Sequence, residues 1–402
     1  MNAGHTSLLA ALLVIVALAL PASATLADGP APILFTRLDL ASGTADGTTL
    51  DAGRLTLSAD RAGGQWTSLP VEPGFGFTRL VASWNADTPA ASHIRVDVQA
   101  TTASGITTDW YTLAIWARAD DAVQRTSVRG QSDDLGRIDT DTLFARGEPF
   151  TSYVLRLTLE RGSDDAGGPS VRMIGAQVSN TRFSPEAPTS LPRGAEAVEL
   201  PVPSYSQEVH ARQYPQYGGG GEAWCSPTSS EMVVEYWGRG PAVDDLAWVN
   251  PAYADPSVIH AARSAYDSAY RGTGNWPFNT AYAAQFGLDA FVTQLRSLNE
   301  AEQFIRAGIP LVASIASQPR ELEGFLFDGG TNGHLVVIVG FDGAGNPIVN
   351  DPAAWTNGTV RRVYDRAQFE RVWQRGSGGT VYVIHPPEVA LPTPSLDATP
   401  NW

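Results

Sequence analysis

Residues 218–238 read GGGGEAWCSPTSSEMVVEYWG, and the only cysteine of the 402-residue chain, Cys225, lies in this stretch. Downstream, Met232, Val233, Tyr236 and Trp237 recur at i, i+1, i+4 and i+5, the spacing of one apolar stripe on a helix. Pro227 falls where a first helical turn tolerates proline, because the missing N–H would have had no partner there. Gly238 stands where a glycine ends a helix. The spacing therefore predicts a helix that begins at or beside Cys225 and is reached through four glycines. Unpaired N–H groups and the positive end of the helix dipole stabilise a thiolate at such a point. A lone cysteine is more often a small buried hydrophobe. The polar neighbours Glu222, Ser226 and Thr228 weigh against that role here and in favour of a nucleophile.

The chain opens with the pattern of an export signal. Leu8 to Leu20 is an unbroken apolar run of 13 residues, too short to span a bilayer, and Pro21-Ala22-Ser23-Ala24 follows with small residues at the cleavage positions. The expectation is a secreted protein cleaved after Ala24, with no stable membrane insertion afterwards. The net charge of −15 argues against nucleic acid as a partner. With one cysteine there is no internal disulfide, so packed cores must supply the stability.

From about Ile33 to Val178 the chain reads as strands. His93–Gln99 and Tyr153–Leu159 alternate with period two, and Trp110–Trp116 is rich in aromatic and β-branched residues. Frequent Gly, Asp, Ser and Thr clusters separate the runs, which predicts an all-β antiparallel sandwich. Trp84, Trp110 and Trp116 are candidates for a glycan-stacking face, although core filling is the commoner use of any one of them. Residues 184–197 have the composition of a linker. Beyond Val202 the character changes to helices first and strands later. Helices are expected over 255–270, 279–286 and 299–307, the last opening on an Asn299/Glu302 capping box and stopping at Gly308. Strands are expected over 311–315, 335–341, 347–350, 359–364 and 380–385, interrupted by a helix over 366–373.

A nucleophilic thiol needs a base and a group that orients it. Of the six histidines, His5 is in the signal, His93 is in the other half, and His385 lies near the end of the final strand. His210 and His260 have no partner nearby in sequence. His334 follows a glycine-rich loop and opens the strand Leu335–Val339, which would hold its ring at the edge of a cleft. The turn Phe341–Pro347 makes a hairpin of this strand and the next. Counting outward from the turn places residues near 351 to 354 opposite His334, and Asn350-Asp351-Pro352 lies at that end, where either Asn350 or Asp351 could accept the Nδ1 proton. Gly272–Phe278 reads equally as a cleft wall or as a loop leading into a helix. No His-Glu-x-x-His, cysteine cluster, Gly-Lys-Ser/Thr phosphate loop or Gly-x-Ser-x-Gly elbow occurs, so neither a metal nor another cofactor is expected.

Trp-Cys-Ser-Pro-Thr-Ser, Gly-His-Leu-Val-Val-Ile-Val-Gly-Phe and Val-Asn-Asp-Pro-Ala, in that order, resemble family thirty-nine of the cysteine peptidases, the bacteriocin-processing peptidases and their secreted bacterial relatives. The resemblance spans about Leu200 to Pro386. It implies an α+β papain-like fold, Cys225 as nucleophile, His334 as base and Asp351 as the residue that orients it. It also implies a glutamine in the oxyanion hole, which local context assigns to Gln207, with Gln213 and Gln216 as competitors. Ser226 departs from the Gly that usually follows the cysteine in leader peptidases, and no transporter domain is present, so a double-glycine leader is not implied as substrate.

The expected organisation is thus a signal peptide over 1–24, a β-sandwich accessory domain over 30–183, a linker over 184–199, a papain-like cysteine peptidase domain over 200–387 and a disordered proline-rich tail over 388–402. The expected activity is hydrolysis of peptide bonds in a peptide or protein, through a Cys-His-Asp triad and a thioester. A cell-wall amidase or endopeptidase acting on wall peptides is the first rival. A glycan-binding protein with an inactive papain-like half is the second.

Overall fold

The period-two runs of the N-terminal half do become strands, and their alternation places every second side chain in a core. In β7 (His93–Thr102) the residues Ile94, Val96, Val98 and Ala100 are buried, and in β11 (Phe150–Glu160) Leu155, Leu157 and Leu159 are. The two strands pair antiparallel with Leu157 opposite Val96 and Leu155 opposite Val98, so the apolar sets share one face. The computed structural model describes residues 1, 32–120, 122–162, 167–180, 189–194, 196–394 and 398–402. The expected signal peptide and its cleavage point, and linker positions 184–188 and 195, lie outside the described residues.

Residues 31–402 pack as one unit. Its N-terminal half is multi-stranded and antiparallel. The further strands are β1 (Ile33–Arg37), β2 (Thr44–Asp46), β3 (Thr48–Asp51), β4 (Arg54–Leu57), β5 (Gly63–Thr67), β6 (Arg79–Asp87), β8 (Tyr111–Trp116), β9 (Gly136–Asp139), β10 (Thr142–Ala145) and β12 (Ser170–Ser179). One sheet runs β3-β4-β12-β6-β10-β9 with β1 against β12, and the other runs β2-β5-β11-β7-β8. Trp84 of β6 meets Trp116 of β8 at 6.2 Å between ring centroids, inside an apolar cluster that draws on both sheets.

That burial corrects the expected stacking face. Trp84 and Trp116 are enclosed in the core, and Trp110 is capped by the Arg156 guanidinium 4.0 Å from its ring centroid. No three-tryptophan surface for a sugar is formed.

The C-terminal half has a third antiparallel sheet, ordered β14-β19-β15-β16-β17-β18 with β13 on β16. Its strands are β13 (Val198–Glu199), β14 (Asp289–Gln294), β15 (Leu311–Ser317), β16 (Thr331–Phe341), β17 (Pro347–Asn350), β18 (Arg361–Val363) and β19 (Thr380–His385). The helices are α1 (Cys225–Tyr236), α2 (Pro256–Ser264), α3 (Trp276–Ala284), α4 (Leu298–Arg306) and α5 (Arg366–Ser377). Among the described residues no helix is long and apolar enough to cross a membrane. The helix expected over 255–270 is shorter, and α4 starts on Ser297 without a side-chain cap instead of on an Asn299 box. β14 was not anticipated. Helix α1 is not one-sided either: Ser226, Thr228, Ser229 and Ser230 are buried with Met232 and Val233, which makes it an enclosed central helix.

β14 is the outer strand of this sheet, and an uncovered edge strand exposes unpaired main-chain groups. Side chains of the N-terminal sheet cover it. Asn85 donates to the Ala290 carbonyl at 2.7 Å and accepts from its N–H at 3.2 Å, and the Ser83 hydroxyl accepts from Val292 N–H at 2.9 Å. Gln177 donates to Gln294 at 3.0 Å, and Arg172 reaches both Asp289 and the Leu288 carbonyl. Phe278 of α3 inserts against Trp84 and Trp116, at 6.1 and 5.3 Å.

The chain end is also tied down, contrary to the expected disordered tail. Pro400 O accepts from Phe35 N–H at 3.1 Å, Arg296 donates to Thr399 O at 2.6 Å, and buried Asn401 donates to Gln294 O at 2.8 Å. Trp402 packs on Phe304 at 4.9 Å. Composition concealed this, because the partners lie about a hundred or more residues away.

Asn85→Ala should lower stability by about 2 kcal/mol or more, since it strands two buried main-chain groups of Ala290. Urea unfolding should show an earlier midpoint with an unchanged slope. An unchanged midpoint would contradict the edge-covering role.

Candidate functional site

The glycine loop before α1 is shaped by close approach. A Cβ on Gly221 would lie 2.2 Å from Gln207 O and 2.5 Å from the His210 carbonyl carbon, so only glycine fits. Gly220, at φ +115°, turns the chain in a region that side chains disfavour. Trp224 is buried and donates its indole N–H to Tyr217 O at 2.6 Å, which fixes the approach to the helix. Cys225 is then the first residue of α1 and half-buried. Its N–H lies in the first turn, where helix geometry supplies no acceptor. Gly238 follows the last turn at φ +65°. Ser226 points away from the cleft and shares a hydrogen bond with the Tyr382 hydroxyl at 2.9 Å, so its departure from Gly is absorbed by the core.

His334 sits on β16 opposite Ile315 of β15 and is buried. Ser229 of α1 donates to Leu335 O at 3.1 Å, which pins the helix bearing the thiol to the strand bearing the imidazole. The His334 Nε2 is 2.7 Å from Asp351 Oδ1. Asp351 Oδ1 also accepts from Ala353 N–H at 3.0 Å and Oδ2 from the Tyr364 hydroxyl at 2.9 Å. Asn350, one residue earlier, faces the other way and donates to Val202 O and Pro203 O at 3.3 and 3.1 Å. Adjacent extended residues point to opposite faces, so one of the two is excluded from the ring. The ring nitrogen differs from expectation. Val337 pairs with Asn350, so Asp351 lies short of the position opposite His334 and meets the distal Nε2 rather than Nδ1.

The other ring nitrogen, Nδ1, is not engaged by Asp351, and the Cys225 thiol adds to the charge on the ring. Burial opposes the charged imidazole, but the Asp351 carboxylate, the hydrogen bond it accepts from the ring and the Cys225 side chain outweigh it and raise the ring to about 10. Burial likewise opposes the Asp351 carboxylate, and His334 with the N–H and O–H donors holds it below its usual range.

Gln207 bridges the two sides. Its N–H donates to Pro352 O at 2.8 Å, next to Asp351, and its side-chain amide donates to Glu222 O at 3.0 Å, three residues before Cys225. Gln213 is turned back on Val209 O and His210, and Gln216 lies beside Tyr217. Of the other histidines, His210 contacts Gln213, His260 contacts the Tyr282 hydroxyl and His385 contacts Pro386 O. Among the described residues no group of three or more His, Cys, Asp or Glu could hold a metal ion.

Three neighbours escaped sequence reasoning. Tyr364 comes from β18's far end, with no motif linking it to Asp351. Phe325 and Phe327 stand 5.8 and 5.1 Å from the His334 ring and line a cavity of about 370 Å³ with Leu322 and Asp328. The segment 272–278 leads into α3, the second of its two sequence readings. Asn275 caps α3 through Phe278 N–H, while the Thr273 hydroxyl donates to Ala223 O at 3.0 Å and so draws the loop alongside Cys225.

Residues 199–381 match the model of the Peptidase_C39 like family, and residues 35–179 match that of the Peptidase C39 N-terminal domain. No curated protein matches the chain. Among solved structures, a candidate C39-like peptidase from Bacillus anthracis aligns at 19% identity and TM-score 0.31, covering 47% of this chain and 97% of its own. Structures of infectious bursal disease virus, Gt and Gx strains, align at 14% identity over 42% of this chain and 38% of theirs, with TM-scores 0.22 and 0.20. With both family models matched in order over 35–179 and 199–381, the chain is similar to the C39 peptidases along most of its length, and the thiol, the imidazole and the carboxylate all fall within the C39-like part.

Proposed function

We propose that this chain is a secreted cysteine peptidase that cleaves peptide bonds through Cys225, His334 and Asp351, by way of a thioester. The observation that carries the reading is the buried His334–Asp351 pair at 2.7 Å beside a thiol on the first turn of a helix. The thiolate is the form of a cysteine that attacks a carbonyl. The Cys225 sulfur forms a bond to the carbonyl carbon, and the carbonyl electron pair moves to oxygen. In this reading the Cys225 N–H stabilises that oxyanion, joined by the Gln207 side-chain amide once it releases Glu208 Oε1, to which it donates at 3.3 Å in this structure. Collapse breaks the C–N bond as His334 gives its proton to the leaving amine. Water then attacks the thioester, with His334 as base, releasing the acid and restoring the thiol.

The architecture that goes with this reading is a papain-like α+β domain, supported by a central helix carrying the thiol against an antiparallel sheet carrying the histidine. The shared core of the two N-terminal sheets supports a β-sandwich ahead of it. Signal removal after Ala24 makes the mature enzyme extracellular. A peptide or protein is the substrate, and wall peptide is the form of it that the first experiment separates.

Mature protein and its Cys225→Ala variant, incubated with a peptide library and with purified peptidoglycan, should differ completely in turnover on one of these while unfolding alike. Equal turnover by the two would contradict a thiol mechanism.

Asp351→Ala should lower kcat about a hundredfold or more, whereas Asn350→Ala, which removes hydrogen bonds to Val202 and Pro203, should lower stability with much smaller loss of kcat. The charge effect has a definite sign. With the carboxylate present the ring keeps its proton to about pH 10. Asp351→Asn lets the proton leave earlier, so the alkaline limb of the activity profile should move to lower pH. A limb that stays in place would show that the carboxylate does not set the ring's charge.

A further inference from the structure

The wall of the cleft beside Cys225 is held from the other half of the molecule. Asp267, fully buried, is the pivot. Its Oδ1 accepts from Ser127 N–H of the N-terminal half at 3.0 Å and from Ala269 and Tyr270 N–H at 3.1 Å each. Its Oδ2 accepts from Asn275 at 2.9 Å. Ser268 N–H donates to Arg125 O at 3.1 Å, and the Arg125 guanidinium donates to Arg263 O at 2.7 Å, at the end of α2. Asp141, also from the N-terminal half, accepts from Trp276 N–H at 2.8 Å and anchors the start of α3. Residues 267–276 are therefore fixed at both ends by strands and loops that precede residue 145.

What this loop presents is Tyr270. Its ring lies over Gly272, where a Cβ would come within 2.7 Å of it, and 41% of the residue is exposed. The loop touches the approach to the thiol twice. Thr273 bonds Ala223 O, and a Cβ on Gly218 would lie 3.3 Å from Gly272 Cα. Burial, and then the charge of a Cys225 thiolate, hold the Tyr270 phenol above its usual range, in accord with a ring close to the sulfur.

We propose that the N-terminal domain is a working part of the cleft: through Asp267 it positions Tyr270, whose exposed ring receives an apolar side chain of the peptide substrate. Asp267 is then a positioning residue and Tyr270 a specificity-determining one. The inference rests on the peptidase reading above. A merely accessory N-terminal domain would need no main-chain contact with a loop two residues from the nucleophile's helix.

The test uses the full chain and the peptides found to be cleaved, sorted by apolar and polar side chains. Tyr270→Ala should raise KM about tenfold for apolar peptides and little for polar ones, while Tyr270→Phe retains the preference. Asp267→Ala should raise KM in the same way, with no further rise in the Asp267→Ala/Tyr270→Ala double variant, because the two act as one unit. Asp267→Asn, which keeps one acceptor oxygen, should recover part of the preference. Iodoacetamide alkylation of Cys225, the only thiol, reports the nucleophile separately and should proceed at the native rate in Tyr270→Ala. Native peptide preference in Tyr270→Ala, or additive KM effects in the double variant, overturns the proposal while leaving the peptidase reading intact. Turnover that survives Cys225→Ala overturns both.

Discussion

A buried imidazole and a buried carboxylate 2.7 Å apart form the constraint on which the rest of the site depends. Removing two ionised groups from water costs several kcal/mol each, and attraction offsets this only when the remaining lone pairs are satisfied. Here the Ala353 N–H and the Tyr364 hydroxyl complete the Asp351 shell, and the phenyl rings of Phe325 and Phe327 pack beside the His334 ring. Every element around the pair follows from that need. The β16–β17 hairpin brings the partners to the same end of the strand pair, β18 leads to Tyr364, and the 318–330 loop supplies the aromatic cover. The pair's contribution to folding has two limits. The His334 part is complete below the ring's ordinary 6.5 and is lost as pH rises through about 10. The Asp351 part is present above the ordinary carboxylate value and is lost as pH falls through its lowered one.

A second dependence runs between the halves. The C-terminal sheet ends on β14, whose outward main-chain groups have side-chain partners on β6. The N-terminal core in turn admits Phe278 of α3, so each half completes the other. The chain end reinforces this, since Thr399 and Asn401 tie Arg296 and Gln294 to the strand that starts at Ile33. The surroundings of Cys225 and the packing of the two halves are therefore coupled through α3 and the loop before it.

What could be read in advance was local. The glycine run and the apolar spacing after Cys225 place a helix start, and the turn at Phe341–Pro347 brings Asn350 and Asp351 to the His334 end of the hairpin. The same signals could not choose the ring nitrogen, because that depends on an offset along a strand pair and on which way a ring is long. Nor could they reveal β14, whose six residues pair with β19 about ninety positions downstream and whose outer edge is covered by side chains about two hundred positions upstream. Trp84 and Trp116 look the same in sequence whether they face a sugar or a core; Phe278, far along the chain, decides it. Asn401 shows the same limit, as a polar residue in a proline-rich end that becomes buried by partners on β14 and α4.

The central claim is that the buried carboxylate keeps the His334 ring charged beside the thiol. Nitrogen chemical shifts of the ring, assigned by their absence in His334→Ala and followed across the neutral and alkaline range, report this directly. The account predicts an imidazolium that persists through neutrality and loses its proton only near pH 10. A ring that is already neutral at pH 7, titrating near its ordinary 6.5, would contradict it.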